Sequence, residues 1–449
     1  MIKALSKRQE VLLIVVMLTV TLSSMSILLF NFVLPMIQEE FQLNHSQVSW
    51  VTSLYTLLYG IGTAIYGKLA DRYRLKNILI FGLTVFSLAS FIGFFSTTYW
   101  MLLVTRFLQA IGAASIPAAS SLIPIRYYPE ENRGRAMGTV FAGVALGNAL
   151  APIIASSIVS FLNWHWLFMV PLLVVFTLPI YFKLLGDEQV RKTQIDWLGG
   201  GLLALFVAQV LLAVTIQIAW LIGAVIAVFG FIWRIKVTKH PFVEPKLFQN
   251  REYTFFLMLA FMTTGMGYSL FFTAPLFLSQ VYSLEAGFIG LVMVPAAVIT
   301  ALLNRQGGKL ADQKGSGFLF FIAITLVFSS FFLLSSFIGS NLVLIAVFLA
   351  LGGVGQSFMM IVMSRSISLT LPTKQAGIGM GLLMMQNFIA GSIAIGIYGR
   401  VIDIETNHLW NPIASSLKGA TYSNLFLGLA ILCVGILLLF LSYARKKSA

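Results

Sequence analysis

Apolar runs of 18 residues or more recur along this sequence from Val11 to Tyr443, and no other feature constrains its folding as tightly. Each run is long enough to cross a hydrocarbon core of about 30 Å as a helix. Lipid offers the backbone no hydrogen-bond partner, so every N–H and C=O of a crossing segment must be satisfied internally, which a helix does. Composition points the same way: 59% of the 449 residues are hydrophobic and only 10% charged, where a soluble domain carries roughly 25% charged residues. Breaks at charged or Gly/Pro/Asn clusters place helices near 11-35, 47-66, 77-96, 99-121, 136-161, 165-185, 197-215, 217-233, 253-279, 286-304, 318-338, 341-364, 376-399 and 422-443. The fold class is therefore an all-α membrane protein with 14 transmembrane helices.

The net charge of +14 sits in short clusters between the apolar runs, not on a continuous basic face, so it reports topology and excludes nucleic acid as a partner. Lys68, Arg72, Arg74, Lys76, Arg126, Arg133, Arg135, Arg191, Lys192, Arg234, Lys236, Lys309 and Lys314 fall on one set of loops and Arg400 and Lys418 on the other. By the positive-inside rule both termini face the cytoplasm, with Trp100, Trp164 and Trp166 in an outer aromatic belt. The expected location is a plasma membrane, the cytoplasmic membrane of a bacterium, with lipid as an obligatory partner. The first apolar run follows Lys3, Lys7 and Arg8, yet it is too long for a signal peptide and lacks a small-residue cleavage site, so it reads as a retained helix. Cys433 is the single cysteine and the four histidines are dispersed, so no metal cluster is offered. No Walker-type loop is present for nucleotide-driven pumping. An enzyme is disfavoured.

The chain repeats itself. Gly67-Lys68-Leu69-Ala70-Asp71 recurs as Gly308-Lys309-Leu310-Ala311-Asp312, an offset of 241. Pro129, Gly134, Met137 and Gly138 recur in spacing as Pro372, Gly377, Met380 and Gly381, an offset of 243. Two matches at nearly one offset imply a duplicated six-helix unit, giving an N-terminal bundle over 1-190, two inserted helices with linkers over 191-252, and a C-terminal bundle over 253-449. Repeated halves with a midplane site are a transporter plan.

The segment Gly67–Lys76 resembles the loop signature between helices two and three of the major facilitator superfamily, with Arg74 at its second glycine. Gly67 suits a tight turn at a helix end, and Asp71 suits a helix cap or an arginine partner. The resemblance makes Gly67, Asp71, Arg72, Gly308 and Asp312 a conformational latch; a plain positive-inside loop with a capping Asp also fits. Leu102–Ala114 resembles the family's arginine motif with Ala110 at its glycine, so Arg106 is expected to face a polar cavity; snorkelling to the interface is the alternative. Gly138, Gly143, Gly147 and Pro152 resemble the signature of antiporters, although close helix packing alone accounts for them. Met25–Pro35 resembles the opening motif of the fourteen-helix drug:proton antiporters, whose membrane aspartate falls at Ser26, while the thirteenth-helix acid of tetracycline exporters falls at Gly391. Ile195–Gly199 and Pro241–Phe248 extend the resemblance over nearly the whole chain.

The resemblance implies proton-coupled antiport of amphipathic compounds by alternating access, with no cofactor beyond an ion gradient, of protons or alternatively sodium. No acid lies in a helix centre, so the coupling candidates are Arg106 and the peripheral acids Glu131, Asp196, Glu39 and Glu40, beside Asp71 and Asp312. The expected cavity draws on Ser26, Asn31, Tyr55, Tyr59, Gln109, Asn148, Tyr268, Phe271, Phe272, Gln356, Gln386 and Asn387, any of which also fits a packing role. A drug-like small molecule is the expected substrate, an exporter of one antibiotic class (tetracycline-like or fluoroquinolone-like), of a lipid or of a metabolite the alternative, and a monomer the expected working form.

Overall fold

The computed structural model describes residues 7–186, 196–238, 241–406, 408–414, 417 and 419–448, apart from the side chains at 71, 130, 373, 374, 376, 377 and 446–448. Of the basic residues used above to read topology, Lys3, Arg191, Lys192 and Lys418 lie outside the described residues. No strand occurs among the described residues. The helices in order are α1 Lys7–Glu40, α2 His45–Arg72, α3 Leu75–Phe94, α4 Tyr99–Tyr127, α5 Glu130–Phe161, α6 Trp164–Leu184, α7 Trp197–Thr215 and α8 Trp220–Val237. They continue with α9 Arg251–Tyr282, a 51-residue run Ala286–Ser336, α12 Leu342–Thr370, α13 Thr373–Asp403 and α14 Ala420–Ser448. At a rise of about 1.5 Å per residue the long run would be roughly 76 Å, more than twice a bilayer core. Gly315, with φ 84° and ψ 163°, breaks it into α10 (286–314) and α11 (316–336). Only glycine adopts that backbone freely, and the break restores fourteen spans among the described residues.

Prolines explain the irregular stretches. Pro35 has no N–H for the carbonyl of Asn31, and α1 tightens to a 3-10 turn over Phe30–Val33 just before it. Pro117 leaves the carbonyl of Ala113 free, and α4 breaks at Ala114. α6, with Pro171 and Pro179, alternates between α and 3-10 turns along its length.

By its contacts the chain forms two units, Met1–Val33 with Trp50–Glu244, and Leu34–Ser49 with Pro245–Ala449. The inserted pair α7–α8 groups with the first unit, and the end of α1 with the first residues of α2 groups with the second. Within the first unit α1 packs on α5 and α3 on α4; within the second α9 packs on α13, and the α10–α11 run on α12. These are equivalent pairs of a duplicated unit. Pro129 and Pro372 occupy the same place before α5 and α13 with nearly the same backbone, φ −57° and ψ 153° against φ −58° and ψ 148°.

In the first unit the α1–α5 contact is made backbone to backbone. A Cβ on Gly143 would stand 2.7 Å from the Met17 carbonyl oxygen, and one on Gly147 would stand 2.5 Å from that of Thr21. The Thr21 hydroxyl donates to the Gly143 carbonyl at 3.0 Å. Gly138 meets nothing within 4 Å, so of the three glycines in that motif two do the packing.

Candidate functional site

Arg106 lies two turns into α4 and is fully buried. Its Nε donates to the Val51 carbonyl at 3.1 Å and its Nη1 to Gln109 Oε1 at 3.0 Å. Gln109 Nε2 donates to Ser90 Oγ at 2.8 Å, and Ser90 in turn donates to the Phe86 carbonyl at 2.7 Å. The guanidinium carbon sits 3.9 Å from the ring centre of Tyr55 and 4.4 Å from that of Phe30. Ser26 neighbours the Tyr55 hydroxyl. Asn31 accepts from Thr52 Oγ1 at 2.8 Å, and Tyr59 shares a hydrogen bond of 3.2 Å with Ser23. Ser26, Asn31, Tyr55, Tyr59 and Gln109 of the expected cavity thus join Arg106, from α1, α2 and α4, in one polar cluster.

The cluster is enclosed, with Ser26, Tyr55, Arg106 and Gln109 all at 0% exposure. No described carboxylate pairs with Arg106, and its Nη2 and Asn31 Nδ2 have no partner. Arg106 Nη2 and Asn31 Nδ2 are donors only, whereas the Ser26 and Tyr55 hydroxyls can donate or accept. Asn148, on α5, is exposed instead.

The remaining expected residues form a second group in the second unit. Gln386 donates to the Leu257 carbonyl at 2.8 Å, and Asn387 accepts from Thr264 Oγ1 at 3.1 Å. The side chain of Gln356 abuts Gly267, and the Tyr268 ring packs across Gly391, filling the space where tetracycline exporters carry an acid. Phe271 is half-buried, while Phe272 is fully buried and acts as packing.

The acids sort differently. Asp196 caps α7 by accepting from Gly199 N–H at 3.0 Å, and also accepts from Arg234 Nε at 2.8 Å and Phe242 N–H at 3.2 Å. Burial alone would raise its pKa, but the bonds from Arg234 and the two amides outweigh it and hold the carboxyl below its usual range. A carboxylate so committed acts as a clamp on the inserted pair. Lys68 completes the clamp from α2, donating to the carbonyls of Pro241 and Phe242 at 3.0 and 2.8 Å. Glu39, Glu40 and Glu131 are exposed.

In the latch motif, Asp312 pairs with Arg365 of α12. Arg126 of α4 reaches the Ala70 carbonyl at 2.9 Å, and Arg72 lies over the Tyr73 ring at 5.7 Å. The side chain of Asp71 lies outside the described residues. Gly67 and Gly308 make no turn: each sits inside a helix, and the chain turns at Tyr73 and Arg74 in one case and at Gly315 in the other. The backbone hydrogen bonds of the helix continue past each glycine, so the glycine does not end it. Trp164 is likewise no belt residue, being 1% exposed and stacked on His165 at 3.8 Å, whereas Trp100 is 73% exposed.

The sequence profile described as the Major Facilitator Superfamily matches residues 16–395. The chain belongs to the Major Facilitator Superfamily. This superfamily member is 27% identical over 394 residues to Multidrug resistance protein 3 of Bacillus subtilis (strain 168), covering 84% of this chain and 76% of that protein. It is 24% identical over 453 residues to the multidrug efflux pump SdrM of Staphylococcus aureus (strain N315), covering 97% of each. Its fold is similar to that of a bacterial homolog of the human lysosomal transporter Spinster, with a TM-score of 0.68 and 15% identity over 97% of this chain and 96% of that one. The protein is thus a multi-pass membrane transporter rather than an enzyme, with multidrug efflux proteins among its relatives.

Sequence reasoning missed one polar group. Asp403, the last residue of α13, accepts from His45 N–H at 2.7 Å, from His45 Nδ1 at 2.9 Å, from Ser46 N–H at 2.9 Å and from the Ser46 hydroxyl. The local signal was Asn44-His45-Ser46-Gln47 opening an apolar run: Asn44 Oδ1 caps α2 by accepting from Gln47 N–H at 2.7 Å, and Gln47 Oε1 accepts from Asn44 N–H at 3.0 Å; the acceptor for the His45 and Ser46 amides, Asp403, is 358 residues from His45.

Proposed function

We propose that this protein exports amphipathic small molecules by alternating access in exchange for protons, with both termini on the cytoplasmic side. The observation that carries this reading is the Arg106 cluster, a buried cation without a counter-carboxylate whose Nη2 lacks a partner. Such a centre suits neutral, zwitterionic or anionic amphiphiles better than a purely cationic set. The resemblance of the chain to multidrug efflux proteins supports the substrate breadth.

Everted membrane vesicles energised by respiration test it. Adding norfloxacin or tetracycline should alkalinise the lumen of vesicles carrying the protein and leave control vesicles unchanged, with ethidium, a permanent cation, giving the smaller response. A lumen that stays unchanged, or acidifies, across the panel removes the antiport reading. A response to one compound alone favours a dedicated exporter.

A further inference from the structure

Away from the Arg106 cluster, the second unit contains a continuous chain of polar side chains: Asp403 of α13, His45 of α2, Gln280 of α9 and Tyr422 of α14. An ionised carboxylate offers about four acceptor positions, and His45 and Ser46 occupy those of Asp403 with four donors. Because the carboxylate only accepts, His45 Nδ1 carries its proton and the neutral ring leaves Nε2 as an acceptor. Gln280 Nε2 meets that atom. The amide is oriented by its other end, where Tyr422 donates its hydroxyl to Gln280 Oε1 at 2.6 Å.

The same four residues satisfy a second arrangement. With a proton on His45 Nε2, the Gln280 amide turns over, its Oε1 accepts from Nε2–H, and its NH₂ faces the Tyr422 oxygen. No bond other than N–H forms. Imidazole is the side chain whose ordinary titration falls between pH 5 and 8. Gln280 also lines a cavity of about 600 Å³ with Glu39, Asn44 and Ser279, large enough to hold water. Among the described residues, the titratable groups that face His45 are Asp403 directly and Tyr422 through Gln280, with Glu39 across the adjoining cavity.

We propose that His45, Asp403, Gln280 and Tyr422 form a proton-binding site in which protonation of His45 turns a neutral–anionic contact into an ion pair and fastens the start of α2 to α13. The contact is close enough for this to matter mechanically. A Cβ on Gly399, one turn before Asp403, would stand 2.7 Å from the His45 carbonyl oxygen. By sign, the fastening is strongest at low pH and weakens as pH rises through the imidazole titration.

The site requires no substrate, so its test is independent of the export reading. With only four histidines in the chain, imidazole NMR of the full-length protein in nanodiscs resolves the titration, and His45→Gln assigns it. We expect one imidazole signal to move with pH and to vanish in His45→Gln. Asp403→Asn should lower its midpoint by a pH unit or more. Tyr422→Phe, which leaves the cap intact and frees Gln280 to turn, should raise it. Hydrogen exchange over residues 45–49, corrected for intrinsic rates, should be at least threefold slower at pH 6 than at pH 8 in the wild type and equal at both in His45→Gln. A His45 signal that does not move, a midpoint indifferent to both Asp403→Asn and Tyr422→Phe, or an exchange ratio retained in His45→Gln would overturn the proposal.

Discussion

A guanidinium enclosed between the rings of Phe30 and Tyr55 has given up its water, at a cost of about 2.5–3.5 kcal/mol for an arginine at the centre of a span. Two charge-assisted hydrogen bonds of about 1.5–3 kcal/mol each, with ring contacts worth about 2 kcal/mol when desolvated, offset that cost. Arg106→Ala removes charge and compensation together. We expect at least a tenfold loss of vesicle transport with the yield of monodisperse protein on gel filtration nearly unchanged; retained transport would deprive Arg106 of its role. Asp196 behaves oppositely. Its folded-state pKa is depressed, so its contribution to stability is present above the unfolded value and is lost only as pH falls through the folded one. Stability should therefore show no Asp196-dependent change between pH 5 and 8, and Asp196→Asn should lower it by about 1–3 kcal/mol across that window, read as a drop in melting temperature. The buried arginine was legible in the sequence because a charge inside an apolar run announces itself. The enclosure of its neighbours was not, since Ser26, Asn31 and Tyr55 have the same composition whether they line water or pack together.

Small residues decide the geometry of whole helices here. Gly143 and Gly147 let α5 lie against the backbone of α1, whereas Gly138 faces open space. Gly143→Leu should displace α1 and cost several degrees of melting temperature, while Gly138→Ala should match or exceed the wild type by about 0.4–1 kcal/mol. Gly315 is the other sensitive position, because its positive φ ends α10 and starts α11. Substitution by a β-branched residue there, Gly315→Val, should cost about 1–3 kcal/mol and delay membrane assembly, measured as a lower yield of protein recovered in the membrane. Helix existence could be read from apolar run length, and the spans near 286-304 and 318-338 from the polar stretch dividing them. The helix ends could not. Gly67 resembled a terminus, but backbone bonds continue through it to Arg72, and a glycine alone does not outweigh neighbours that favour helix.

For the chain as a unit in the bilayer, the testable statement is orientation. Reporter fusions at Arg74, Gly315 and Arg445 should fluoresce as cytoplasmic green fluorescent protein, and fusions at Gln42, Thr97 and Thr406 should be active as alkaline phosphatase; a reversed pattern at any pair would break the positive-inside reading. The number of spans, their apolar character, the duplication and the superfamily follow from the order of residues alone, because lipid imposes a length and a composition on each segment independently of the others. Three things were left to the folded chain: the assignment of residues 34–49 to the second unit, the clamp of Lys68 and Asp196 on the inserted pair, and the binding of the first two amides of α2 by Asp403. Each joins residues far apart in the chain through the directions of particular hydrogen bonds, and a linear pattern of apolar and polar residues carries no information about direction.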